Sequence, residues 1–283
     1  MNYEQIDNIP KKYIKSKIKE FLKEDIPRRD ITTDNIYNGN EIVEAQIQAG
    51  EQLIFCGKNI VMNTFDKSCV IKKISEDGKN HRENQIIGIV SGPATEILKK
   101  ERVMLNLIQR LSSISTKTHR VAQKAKKHNI KILDTRKTTP GIRLFEKYAV
   151  KIGGGWNHRL DLSSGIMIKD NHIKAAGGIK KAIDKIRRKE KQFKIELEVD
   201  YYDQIEEGLK CSVDGFLLDN MRSEEIKKAV QLIKQKNKKI FVEASGGITE
   251  QSLHRYLKSG VDAISMGEIT HSVPNIDIKL EII

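Results

Sequence analysis

Cysteine is scarce in this 283-residue chain, and its three copies, Cys56, Cys69 and Cys211, are odd in number and far apart. They offer neither zinc-ligand spacing nor a disulfide framework, so they read as reduced thiols that pack. Aromatic residues make up only 5%. No stripe of aromatics interleaved with basic residues is visible, which weakens a nucleic-acid reading of the net charge of +13. The lysines instead spread through 180–194 and 227–239, as they do on solvated helix faces. A basic field also attracts small polyanions. No window of 18 uninterrupted apolar residues occurs, so no transmembrane helix and no membrane partner are expected. The N-terminal stretch MNYEQIDNIPKKYIKSKIKEF lacks an apolar signal core, which points to the cytoplasm. What is present, 38% apolar and 31% charged residues, describes a soluble globular protein of one large or two modest domains.

Apolar spacing predicts a helix over 13–22, then short strands at 43–49, 53–56, 70–74 and 86–90. Helix and strands without βα alternation read as an α+β domain through about residue 93. A long helical pattern covers 94–127, with Ser112-Ser113 as a candidate bend. From residue 130 the organisation changes. Short apolar runs at 132–133, 166–168, 195–199, 216–218, 240–242 and 263–266 alternate with helical patterns at 173–187, 202–209, 223–234 and 249–259. Repeated βα units imply a parallel sheet. About six of them, with no G-x-G-x-x-G after the first strand, fit an α/β barrel better than two Rossmann halves.

In a barrel, active sites sit at the C-terminal ends of the strands. Those ends carry Asp134 and Arg136, Lys169, Glu198, Asp219, Glu243 and Ser245, and Gly267. Such uniform placement favours a site, although a single ending such as Asp219 before Ser223 also suits a helix cap. The densest stretch is 131–173, KILDTRKTTPGIRLFEKYAVKIGGGWNHRLDLSSGIMIKDNHI. Arg136, Lys137, His158, Arg159 and Lys169 form its basic set, and arginine forks suit planar carboxylates. Glu198 and Asp219 can hold sugar hydroxyls and Mg²⁺. Ser245-Gly246-Gly247 and Met266-Gly267 offer backbone N–H groups to a phosphate. The implied ligands are a phosphorylated sugar, a metal and a small carboxylated molecule. Taken alone, Arg136 or Arg159 could equally be a structural ion pair, and Arg102 on the long helix reads as a surface charge. Glu196 shares a strand face with Glu198, and alternation alone leaves open which of the two faces a ligand. His172 and His271 could orient neighbours or touch ligand.

DTRKTTPG, KYAV-x-x-GGG-x-NHRL and IKDNH, in this order and spacing, resemble the quinolinate phosphoribosyltransferase family, as does ERVMLNLIQRLSSIST on the long helix. The resemblance runs from Asp30-Ile31-Thr32-Thr33 to GVDAISMGEITHS. It implies an incomplete (β/α) barrel over 108–271. It also implies an N-terminal α+β open-sandwich domain over 1–107, completed by the tail 272–283, that caps the barrel of a partner in a homodimer or higher oligomer with shared active sites. The substrates implied are quinolinate and phosphoribosyl pyrophosphate. Arg102, Thr135, Arg136, Lys137, His158, Arg159 and Lys169 match the quinolinate side. Lys137, Glu198, Asp219, Ser245, Gly246, Gly247, Met266, Gly267 and Glu268 match the phosphoribosyl side. Lys137, Lys169, Glu198 and Asp219 carry the catalytic roles, Mg²⁺ is expected to be held mainly by phosphoribosyl pyrophosphate and waters in the neighbourhood of Glu198 and Asp219, and no organic cofactor is needed. Trp156 and Glu268 depart from the family pattern, and the Glu268 side chain is expected to point away from phosphate. A paralogue of the same fold acting on another substrate, such as the one linked to molybdate transport, is the alternative. The intact TRKTTPG, NHR and IKDNH set argues against it.

Overall fold

Apolar periodicity sets most element limits in the computed structural model, which describes residue 1 and residues 3–283. In chain order the first half contains α1 (Lys11–Asp25), α2 (Thr33–Ile36), β1 (Ile42–Ala49), β2 (Leu53–Ile54), α3 (Lys58–Thr64), β3 (Val70–Ile74), β4 (Asn80–His81), β5 (Ile86–Pro93) and α4 (Ala94–Lys126). There follow β6 (Lys131–Leu133), α5 (Arg143–Ile152), β7 (Ile166–Ile168), α6 (Asp170–Ala176), α7 (Ile179–Lys189), β8 (Ile195–Val199), α8 (Tyr202–Lys210) and β9 (Gly215–Asp219). The chain ends with α9 (Ser223–Lys236), β10 (Phe241–Ser245), β11 (Ala263–Ser265), α10 (Glu268–His271) and β12 (Ile278–Ile282). Among the described residues no helix is long and apolar enough to cross a membrane.

Two compact units result. The first comprises Ile6–His119, Leu144–Gly154 and Val273–Ile283. Its sheet has the order β12-β1-β5-β3, all antiparallel. Residues 45, 47 and 49 of β1 are buried while their neighbours are not, the period of two that a half-covered strand requires. The second unit comprises Met1–Gln5, Arg120–Arg143 and Gly155–Ser272. It contains six parallel strands in the order β6-β11-β10-β9-β8-β7. Strands β7 to β11 therefore pair in chain order, and β6 returns beside β11.

Among the described residues no ladder joins β6 to β7, so the ring of strands has one seam and the barrel is incomplete. The segment after α5 lies along that seam. The Trp156 N–H donates to Ile132 O at 2.8 Å, and the Asp134 N–H donates to Trp156 O at 3.1 Å. Trp156 leaves its ring at the surface, where the Lys131 ammonium sits 4.0 Å from the ring centroid. That cation–π contact suits a large aromatic at a position where the family resemblance suggests a smaller residue.

Three expectations change. The long helix is unbroken at Ser112-Ser113. Ser113 Oγ bonds back to Gln109 O at 2.7 Å, and Ser112 Oγ receives the Cys56 N–H at 3.1 Å. Ser112 therefore docks the chain after β2 on the helix, and Ser113 also receives the Ile276 N–H at 3.0 Å. The helix expected over 173–187 is two, α6 and α7, because Gly177 takes a left-handed φ of 83° and caps α6. The helix expected over 249–259 is a set of turns with one 3₁₀ turn, Leu253–Arg255. There Thr249 and Ser252 bond to each other's backbone, the competition that disfavours a helix interior.

Candidate active site

Each strand of the second unit ends by projecting a polar side chain into one cavity of about 580 Å³. Thr135, Arg136 and Lys137 reach it from the end of β6, His158 and Arg159 from the seam, and Lys169 from β7. Glu198 comes from β8, Asp219 from β9, Ser245, Gly246 and Gly247 from β10, and Gly267 and Glu268 from the turn after β11. Among the residues matched to the two substrates, two do not line it. Met266 is buried, and its N–H is taken by Leu133 O at 3.0 Å. Arg102 is exposed on α4, where its guanidinium lies 3.5 Å from Glu101.

The cationic wall is held in place by backbone. Asp134, fully buried, accepts the His158 N–H at 2.8 Å and the Asn157 side-chain amide at 2.7 Å. These bonds fix the segment that carries Arg159, whose guanidinium donates to Gly165 O at 3.0 Å. Burial, followed by the neighbouring Arg136, lowers the Arg159 pKa, while Tyr3, Glu196 and Glu198 act against that shift. Lys137 is anchored through its backbone: its N–H donates to Thr135 Oγ1 at 3.0 Å, and its carbonyl accepts the Thr270 hydroxyl at 2.8 Å. Its charge acts on Asp219, whose pKa it lowers against the effect of burial.

Across the cavity, Lys169 pairs directly with Glu198. Burial raises the Glu198 pKa; Lys169 opposes that shift, and Asp219 and Asp200 add to it. Burial also raises the Asp219 pKa, with Lys169 acting against it. Two half-buried carboxylates at adjacent strand ends therefore hold their charge under strain, which a cation relieves. The Glu268 carboxylate accepts the Glu250 N–H at 2.7 Å. His172 does not line the cavity; its Nδ1 accepts the Lys169 N–H at 3.0 Å and so positions that residue. His271 does line it.

Sequence reasoning gave no role to Asn220, Ser265 or Thr249, or to Glu243 beyond its strand-end position, yet all line the cavity. Asn220 takes a left-handed φ of 55° and donates its N–H to Ser245 O at 3.0 Å. A Cβ on Gly246 would lie 2.3 Å from Asn220 Oδ1, so the glycine allows this turn to close. An asparagine directly after the strand-end Asp219 was the available signal, since Asn enters left-handed backbone readily.

At the cavity floor, His158 and Glu243, with Glu196 behind them, bring their donor atoms within 4.8 Å of one another, a spacing that a cation or a shared proton can bridge. Glu196 accepts the Tyr3 hydroxyl at 2.6 Å. It is fully buried.

A parallel-strand site that opposes clustered cations to paired carboxylates, with a glycine turn at its rim, defines an enzyme of the barrel phosphoribosyltransferase class. The family model described as quinolinate phosphoribosyl transferase, C-terminal domain, matches residues 114–281, and its N-terminal counterpart matches residues 30–112. The chain belongs to the quinolinate phosphoribosyltransferase family. It is 40% identical over 273 residues to the probable nicotinate-nucleotide pyrophosphorylase [carboxylating] of Bacillus subtilis (strain 168), covering 95% of this chain and 93% of that relative. The protein of the same name from Methanocaldococcus jannaschii is 38% identical over 281 residues, covering 96% and 98%. The solved nicotinate-nucleotide pyrophosphorylase of Francisella tularensis superposes with a TM-score of 0.94 at 35% identity, covering all of both chains.

Proposed function

We propose that this cytoplasmic enzyme transfers the phosphoribosyl group of phosphoribosyl pyrophosphate to the ring nitrogen of quinolinate, with loss of CO₂. The products are nicotinate mononucleotide and pyrophosphate, a step of de novo NAD biosynthesis. The observation that carries the reading is the convergence of Arg136, Lys137, Arg159 and Lys169 with Glu198 and Asp219 on one cavity. Arg136, Arg159 and Lys169, with His158 and Thr135, hold the two ring carboxylates. Glu198 and Asp219 hold the ribose hydroxyls. As the bond to pyrophosphate breaks, positive charge builds on the sugar, and these carboxylates stabilise it. Lys137 and the turn Ser245–Gly247 receive phosphate oxygens, Lys137 by charge and the turn by backbone N–H. In the adduct the pyridinium nitrogen accepts electron density. The C2–carboxylate bond can then break, its electron pair stays at C2, and C2 takes a proton.

The oxygen donors Glu198 and Asp219 suit Mg²⁺, a hard cation. When bound with the sugar phosphate it neutralises charge on the leaving pyrophosphate. No organic cofactor is needed. The direct test is incubation with quinolinate, phosphoribosyl pyrophosphate and Mg²⁺, with detection of nicotinate mononucleotide and CO₂. Absence of both products from well-folded protein rejects the reading.

The same reading assigns Arg102 to the site of a second subunit. In support, the Arg102 side chain is 59% exposed, and among the described residues only its sequence neighbour Glu101 pairs with it, at 3.5 Å. A two-fold dimer, alone or within a higher oligomer, makes such an exchange reciprocal. Arg102→Ala and Lys169→Ala homodimers are then each nearly inactive. Random subunit exchange restores one intact site in half the dimers, so activity rises to roughly a quarter of wild type. A mixture that stays inactive after demonstrated exchange rejects the shared site.

A further inference from the structure

Glu243 is fully buried on β10 and lines the cavity, and among the described residues no donor meets hydrogen-bond geometry to either carboxylate oxygen, although the nearby Ser265 hydroxyl favours its charged form. Its Oε2 lies 3.6 Å from His158 Nε2, and Glu196 Oε2 lies 3.3 Å from the same nitrogen. The charged and titratable groups packed around it are Asp134 from β6, Glu196 from β8, His158 and Arg159 from the seam, and Tyr3 from the N-terminal segment, with Ser265 from β11 beside them. Carboxylates dominate this floor, and an uncompensated buried carboxylate is costly. A bound proton removes that cost.

Geometry places the proton. His158 Nδ1 accepts the Arg159 N–H at 2.7 Å, so the single proton of the neutral ring sits on Nε2, towards the two glutamates. A second ring proton would have to displace that backbone bond. Burial opposes charge on His158, while Glu243, Glu196 and Asp134 together raise its pKa. The occupied Nδ1 directs the cluster's extra proton to Glu243 instead. Consistent with this, burial pushes the Glu243 carboxyl up to about 7, with His158 opposing and Glu196 reinforcing.

We propose that Glu243 is a further binding residue for the aromatic diacid and enters the complex as the neutral carboxylic acid, so that diacid and one proton bind together. This rests on the reading that the cavity takes quinolinate. As an acid, Glu243 offers an O–H donor to the ligand; as a carboxylate, it would repel a dianion from below. Quinolinate therefore stabilises the protonated form further.

The test is calorimetric titration of the full chain with quinolinate alone, at pH 6 and pH 8, in pairs of buffers with different ionisation enthalpies. The expected result is little proton uptake at pH 6, where Glu243 already holds its proton. Uptake should approach one proton per site at pH 8, with affinity falling up to about tenfold per pH unit above neutrality. Glu243→Gln, which can donate without titrating, should bind quinolinate with no proton uptake at either pH. Wild-type binding without uptake at pH 8 overturns the proposal whether or not the variant folds. So does unchanged uptake in a Glu243→Gln variant with native circular dichroism. Absence of quinolinate binding at both pH values would reject the substrate reading itself, a different result from binding without proton linkage.

Discussion

Lys169→Ala lowers kcat/KM for quinolinate by roughly 10²–10³-fold, the typical effect of removing one group aimed at developing charge, while the fold survives. Lys169 is the hinge between the two halves of the site. It pairs with Glu198 on the sugar side and stands among the cations on the acid side. Its removal takes a positive charge from the acid subsite. It also deletes the main influence holding Glu198 ionised against burial. A protonated Glu198 stabilises an oxocarbenium-like sugar poorly, so both KM and kcat suffer. Stability changes little, because the lysine side chain is 43% exposed and the half-buried Glu198 can take up a proton when its partner is lost. Steady-state kinetics and a thermal melt on the same preparation check both halves of the statement. A loss below tenfold would show that the pair is structural.

Nicotinate is used at least about 10²-fold less efficiently than quinolinate. It lacks the 2-carboxylate, and in the proposed reading the cationic wall receives two. Arg159 is only 7% exposed, and both its burial and Arg136 already depress its pKa. A ligand with one carboxylate leaves a desolvated cation uncompensated, at about 3–5 kcal/mol. Both acids lead to nicotinate mononucleotide, so formation of that product cannot discriminate them. Pyrophosphate release with each acid alone, set against CO₂ release from quinolinate, does. Comparable kcat/KM values for the two acids would overturn the assignment of the wall to a dicarboxylate.

The strand-end rule made most of the cavity legible. Lys169, Glu198 and Asp219 each close an apolar run, and each enters the same cavity because parallel strands end on one face. Alternation along β8 put Glu196 and Glu198 on one face, but only the family resemblance singled out Glu198; Glu196 is buried and Glu198 half-buried. What depended on backbone geometry was not legible. Asn220 matters through a left-handed φ and its clasp on the Gly246 turn, and neither has a periodic signature. The turns at 249–259 hide behind apolar residues at helical spacing, because Thr249 and Ser252 prefer their own backbone. Glu243 sat in view at a strand end, but its meaning comes from His158 and Glu196, contributed by segments distant in the chain.

The seam between β6 and β7 divides the labour of recognition. Glu198 and Asp219 stand on β8 and β9, which carry ladders on both edges, so the sugar-facing half is a fixed template. His158 and Arg159 hang instead on a strap tied down by a few backbone bonds and the Asp134 carboxylate. Substitutions along that strap can reshape the acid pocket without shearing any strand pair. A fold arranged in this way can keep one sugar donor while exploring different aromatic acceptors, because novelty at the seam leaves the ladders intact.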